Sequence, residues 1–136
     1  MLQQQPQSLQ VTHAAAPRRG APALRGVHGL MERYVDGDQR AFSALHGLLS
    51  SRVRSRLSKL VRDPALVEDL TQLTFMRAHQ ARERFESSEG GNPDRAVEGW
   101  YLAIARNVAL DHLRHTYRRE QRHAKLAARG QVEGMG

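Results

Sequence analysis

Cysteine is absent from this 136-residue chain, aromatic residues make up only 5% of it, and no apolar run approaches the length of a membrane span. The first absence excludes a disulfide framework, a thiol nucleophile and a cysteine-based zinc site, and it fits the reducing cytoplasm where we place the protein. The second argues against a broad stacking platform for RNA bases. The third argues against membrane insertion. Lysine is scarce too: Lys59 and Lys125 are the only two among 21 Lys and Arg residues, which face 14 Asp and Glu. The formal charge of +7 and the pI near 10.9 therefore rest on guanidinium groups, the better fork for phosphates and base edges. A polyanion is the natural partner. With 40% hydrophobic residues, the length suits one modest domain with a core in part of the chain.

Enzymatic chemistry finds little support. There is no nucleophile elbow, no glycine-rich phosphate loop after a strand, and no alternating strand pattern to carry one. His112, His115 and His123 lack a convergent carboxylate or thiol at ligand spacing, so neither a metal nor another cofactor is expected. We assign no catalytic residue.

Residues 1–25 contain no acidic residue, carry Arg18, Arg19 and Arg25, and are rich in Gln, Pro, Ala and Gly. Such a stretch buries too little apolar surface to offset chain entropy, and is read as a disordered basic arm. Its poverty in serine and its prolines Pro6, Pro17 and Pro22 speak against a transit peptide. From Val27 the pattern becomes helical: Val27, Leu30, Met31, Tyr34 and Val35 share one face. Gly37 can end that short helix and Asp38 can cap the next, expected over 39–61 with Phe42, Leu45, Leu49, Val53, Leu57 and Leu60 buried. Arg52, Arg56 and Lys59 line its other side, as a solubilising face or a contact for nucleic acid.

Asp63 followed by Pro64 opens a third helix, expected to reach about residue 84. Val67, Leu70, Phe75 and Ala78 form its core side, while Asp69, Gln72, Leu73 and Met76 gather on another. Gly, Ser, Asn and Pro over 83–95 mark a loop, with Phe85 anchoring its start. The last helix, centred on Trp100 to Arg119 and reaching back to Val97, buries Val97, Tyr101, Ile104, Ala105 and Val108. On its other flank Asn107, Asp111, Arg114 and Arg118 follow at steps of four, three and four, with Arg119 beside them. An amide can pair with a base edge while guanidiniums neutralise backbone charge, so the ridge suits nucleic acid; exposed Arg and Asp at this spacing also make ordinary solvated faces. The fold is all-α: three main helices plus a short N-terminal one over 26–121, with 122–136 a basic tail or the start of a linker.

The run Trp100, Ile104, Ala105, Arg106, Asn107, Asp111, Leu113, Arg114 resembles the W-L-x-x-I-A-R-N-x-x-x-D-x-x-R signature of extracytoplasmic-function (ECF) sigma factors, in the helix that reads the minus-ten promoter element. Asp63 to Gln72 with Phe75 resembles the family's D-P-x-x-A-E-D-L-x-Q-E-x-F segment, and Tyr34 to Phe42 its Y-x-x-G-D-x-x-A-F opening. Three motifs in order, covering Leu30 to Arg119, are specific together. The resemblance implies the region 2 domain of a sigma factor. It would dock on the clamp helices of the largest subunit of core RNA polymerase through Asp69, Gln72, Leu73 and Met76. It would capture the melted minus-ten non-template strand through Asn107, Asp111, Arg114, Arg118 and Arg119, with the 83–95 loop near a flipped base. An anti-sigma factor is implied as regulator.

Two departures bear on this. Leu73 stands where the family usually has Glu; it either presents apolar area to a partner or packs inward on a rotated helix. No second, helix-turn-helix domain follows Arg129, so the chain is a piece of a two-domain factor, works with a domain on another chain, or uses the fold differently. The alternative is therefore a sigma-like regulatory interaction protein that binds polymerase or an anti-sigma factor without initiating transcription. A generic basic helical module with no sequence preference is a third reading.

Overall fold

The structure, a computed structural model, describes residues 25–86 and 91–135, with the side chains of 133 and 135 excepted. The basic arm expected before Arg25, and Ser87, Ser88 and Gly90 of the expected loop, lie outside them. Among the described residues there are four α-helices and no strand: α1 (Val27–Val35), α2 (Gln39–Ser58), α3 (Pro64–Ala81), a single 3₁₀ turn (Arg82–Arg84) and α4 (Pro93–Met135).

Local chemistry fixes each boundary. After α1, Gly37 adopts φ 103°, and the amides of Gly37 and Asp38 donate to Tyr34 O and Arg33 O, both at 2.9 Å. Asp38 then caps α2 by accepting from the Arg40 amide at 2.9 Å, and Asp63 caps α3 by accepting from Ala65 at 3.0 Å with Pro64 in the first turn. The same device begins α4 within the stretch expected to be loop. Asn92 Oδ1 accepts from the amides of Asp94 (2.9 Å) and Arg95 (3.4 Å), and Pro93 opens the helix. The connection is accordingly shorter than 83–95. α2 stops at Ser58, three residues before Val61, and the last turn of the expected third helix tightens to 3₁₀ geometry.

α1 has no capping side chain of its own. Gly26, at φ 75°, precedes it, and the cap comes from another helix: Asp94 accepts from the Gly26 amide at 3.2 Å and from the His28 amide at 2.8 Å. The carboxylate thus satisfies donors that α1 would otherwise leave to water, and it meets the positive end of the α1 dipole.

The core is one cluster drawn from all four helices. α1 contributes Val27, Met31 and Tyr34; α2 contributes Ala41, Leu45, Leu49, Val53 and Leu57; α3 contributes Val67, Leu70, Phe75 and Ala78; α4 contributes Val97, Tyr101, Ala105, Val108 and Ala109. Phe42, Leu60 and Ile104, expected inside, are half-buried, while Ala41 and Ala109 take inward places. The α4 stripe is therefore rotated away from Ile104 toward small residues, which admit the neighbouring helices closely. Thr71 and Thr74 are buried, and their hydroxyls donate to the carbonyls of Val67 (2.7 Å) and Leu70 (2.8 Å). Trp100 meets Phe85 and Tyr101 edge-on, so Phe85 pins the chain after α3 to the start of α4, and the half-buried tryptophan takes part in this aromatic packing.

Arg52, placed from sequence on a positive outer stripe, is half-buried and paired with Glu98 of α4 at 2.9 Å. Beyond Ala109, α4 leaves the core. It does not end near Arg119, with a tail or linker after it, but continues as helix to Met135, and 122–132 are exposed throughout.

Candidate nucleic-acid interface

Pulling Tyr101, Ala105, Val108 and Ala109 into the core turns the opposite side of α4 to solvent. Asn107, Asp111, Arg114, Arg118 and Arg119 are all exposed. The amide of Asn107 has no bonding partner among the described residues, which leaves both its donor and acceptor open to a base edge.

Asp111 is engaged on both oxygens. Oδ1 accepts from Arg114 at 2.8 Å, one turn along α4, and Oδ2 accepts from Arg77 of α3 at 3.3 Å. Arg114 first, and Arg77 second, hold the carboxyl below its ordinary pKa. All three side chains are well exposed, so these pairs add little stability in water; their effect is to orient two guanidiniums along one ridge. Arg77 was not singled out from sequence, because a contact between α3 and α4 leaves no local spacing signal. Arg118 closes the same hollow, with Leu73 at its floor.

The four α3 residues grouped from sequence divide. Asp69, Gln72 and Met76 are exposed, Met76 at 57%. Leu73 is half-buried against the core on the side facing Asp111 and Arg114, so it takes the inward place rather than forming an apolar spot with Met76. Gln72 and Met76 instead rim a groove of about 890 Å³ between α2 and α3, whose walls include Tyr34, Phe42, Phe75 and His79. There the Tyr34 hydroxyl bonds His79 Nδ1 at 2.5 Å. Burial pushes the Tyr34 phenol pKa up, against the opposing effect of Arg82, whose guanidinium lies 5.9 Å from the ring centre.

No described cluster of His, Asp or Glu could hold a metal ion, and no described helix is long and apolar enough to cross a membrane.

Comparison with known proteins assigns this helical bundle to the sigma-type class. The Sigma-70 region 2 family model matches residues 45–119. The chain is 41% identical over 98 residues to the RNA polymerase sigma factor CarQ of Myxococcus xanthus, covering 72% of this chain and 50% of that protein. It is 26% identical over 110 residues to the ECF RNA polymerase sigma factor SigK of Mycobacterium tuberculosis, covering 80% of this chain and 56% of that one. A solved structure, an engineered region 2 of sigmaE determined by NMR in complex with GTAAAA, aligns with a TM-score of 0.59 and 30% identity, over 74% of this chain and 97% of that chain. The chain belongs to the sigma-70 region 2 family, in its ECF branch. It spans about half the length of the curated relatives it matches.

Proposed function

We propose that this domain docks on core RNA polymerase through Asp69, Gln72 and Met76 of α3 and captures the melted minus-ten non-template strand along Asn107, Asp111, Arg114, Arg118 and Arg119 of α4. Strand capture supplies the free energy for promoter opening; no covalent chemistry is involved. The observation that carries the reading is the ridge geometry: an unengaged amide at Asn107 beside guanidiniums aimed by Asp111. Asn107 reads a base, Asp111 sets the arginines, and Arg114, Arg118 and Arg119 hold phosphate. Leu73 supports the α3–α4 seam from inside. The work takes place in the cytoplasm.

An anti-sigma factor belongs to the same proposal. Gln72 and Met76 rim the groove between α2 and α3, so a protein seated there excludes polymerase by occupying the docking residues.

Single-stranded minus-ten oligonucleotides test the strand-capture half. They should bind with a base preference that Asn107→Ala abolishes, whereas Arg118→Ala weakens all sequences alike. Equal binding of scrambled strands would leave the generic basic module as the better description. Retention on purified core polymerase, lost in Asp69→Ala, tests docking.

A further inference from the structure

The groove between α2 and α3 gathers rings in a chain that has few. Of its three Tyr and three Phe, Tyr34, Phe42 and Phe75 meet there, with His46 and His79 beside them. The rings form a continuous wall: centroids lie 5.3 Å apart for Tyr34 and Phe42, 6.1 Å for Phe42 and His46, and 4.5 Å for His46 and Phe75. The bond from the Tyr34 hydroxyl to His79 ties α1 to α3 at the groove. Its lining runs over Gln39 to His46 on α2 and Gln72 to His79 on α3, about two turns of each helix, so the trough is roughly 11 Å long. Its 890 Å³ falls among the volumes of small-molecule pockets.

The polar groups around the wall are of one kind. No described carboxylate lines the groove, whereas Arg40, Ser43 and Gln72 offer donors at its edge. The Arg40 guanidinium is exposed and has no partner among the described residues. The neighbouring acid, Asp38, is already engaged: it accepts from the Arg40 amide at 2.9 Å and lies 3.7 Å from Arg33 Nε. Asp69, one turn before Gln72, is outside the lining.

We propose that this groove binds a small, flat aromatic carboxylate, with its rings against Phe42, His46 and Phe75 and its carboxylate on Arg40. The ring wall favours a planar body, because offset and edge-on aromatic contacts add to the burial of area. The free guanidinium selects the charge of the head group, and since it stands in water it adds selectivity more than affinity. No side chain of a protein joins a ring to a carboxylate, so one inserted residue of a partner meets only half of these features. The site stands without the function proposed above. Its consequence, that a filled groove keeps polymerase from Gln72 and Met76, rests on that docking reading.

The test uses the full chain with labelled methionine methyls, read by NMR. Met76 lines the groove and Met31 is sealed in the core, so one reports occupancy and the other the fold. Naphthoate should shift the Met76 methyl saturably, with a Kd on the order of 1 mM for a ligand of this size, and leave Met31 in place. Naphthamide should bind about threefold more weakly and naphthylmethylammonium about tenfold. Arg40→Gln should bring the three to within about twofold of one another. Ser43→Phe puts a ring into the mouth from an exposed position, and should abolish the Met76 shift while Met31 stays unmoved. A shift that never saturates, equal binding of the three compounds to wild type, or undiminished binding to Ser43→Phe overturns the proposal. Naphthoate at about ten times its Kd should also release wild type from core polymerase. Saturable, charge-selective binding without release supports the ligand site and removes Gln72 and Met76 from the docking surface, so the two failures are distinct.

Discussion

Arg77 on α3 and Asp111 on α4 are joined at 3.3 Å, and Arg114 takes the other oxygen of the same carboxylate at 2.8 Å. One exposed acid therefore sets two cations, and its protonation releases both. Because its pKa is lowered in the fold, the interaction is complete above the ordinary carboxylate value of about 3.9 and is lost as pH falls through the lower folded value. Ridge geometry should be pH-independent near neutrality. A carbon-detected NMR titration of Asp111 should give a midpoint below about 3.9, raised more by Arg114→Ala than by Arg77→Ala. A midpoint at or above that value in wild type counts against the arrangement.

Tyr101 tests the core. Its ring is fully buried, its hydroxyl has no partner among the described residues, and burial drives its pKa far upward. The phenol oxygen is desolvated without return. Tyr101→Phe should be neutral or stabilising by up to about 1–2 kcal/mol, and Tyr101→Ala should cost about 3–5 kcal/mol, both read from urea unfolding. A clear loss in the Phe variant means that the hydroxyl finds a partner.

Asp94 reaches Gly26 and His28 across 68 and 66 positions of sequence. Asp94→Ala removes the side-chain cap that α1 has among the described residues and should cost about 1 kcal/mol. Hydrogen exchange should quicken most at the His28 amide, which loses its acceptor, with little change in α3. Uniform acceleration through the bundle would mean that the cap is a general rather than a local support.

Leu73 and Met76 should separate cleanly. Leu73→Ala trims a half-buried side chain and should destabilise by about 1–2 kcal/mol while leaving polymerase retention unchanged at equal folded fraction. Met76→Ala trims an exposed one and should move stability by less than about 0.5 kcal/mol while weakening retention. The reverse pattern would place the docking surface on the α4 side of α3.

Much of this was legible because helix starts in this chain are written in single residues. Asp38 and Asp63-Pro64 announced α2 and α3. Asn92-Pro93 uses the same grammar, yet the surrounding Ser and Gly made it read as loop. The outward flank of α4 followed from periodicity, and Asn107, Asp111 and Arg114 are exposed as the spacing required. What periodicity does not deliver is rotation to within one residue. Ile104 yielded to Ala109, and Leu73 turned toward α4 while Met76 turned toward the groove, because packing against particular neighbours decides those last tens of degrees. The Arg77–Asp111 and Asp94–His28 pairs are tertiary and leave no mark in any window of sequence. Gly130 does not interrupt α4, since one glycine costs only about 1 kcal/mol in a helix, less than the good helix formers around it supply.

The uninterrupted course of α4 also limits how its length can vary. One residue inserted between Arg114 and Arg118 would swing every later cation about 100° off the line set by Asn107, whereas seven would return them to within about 20°. Descendants of this sequence can thus gain or lose residues there only in steps close to whole turns, such as about seven, eleven or eighteen, if the charged edge is to stay straight.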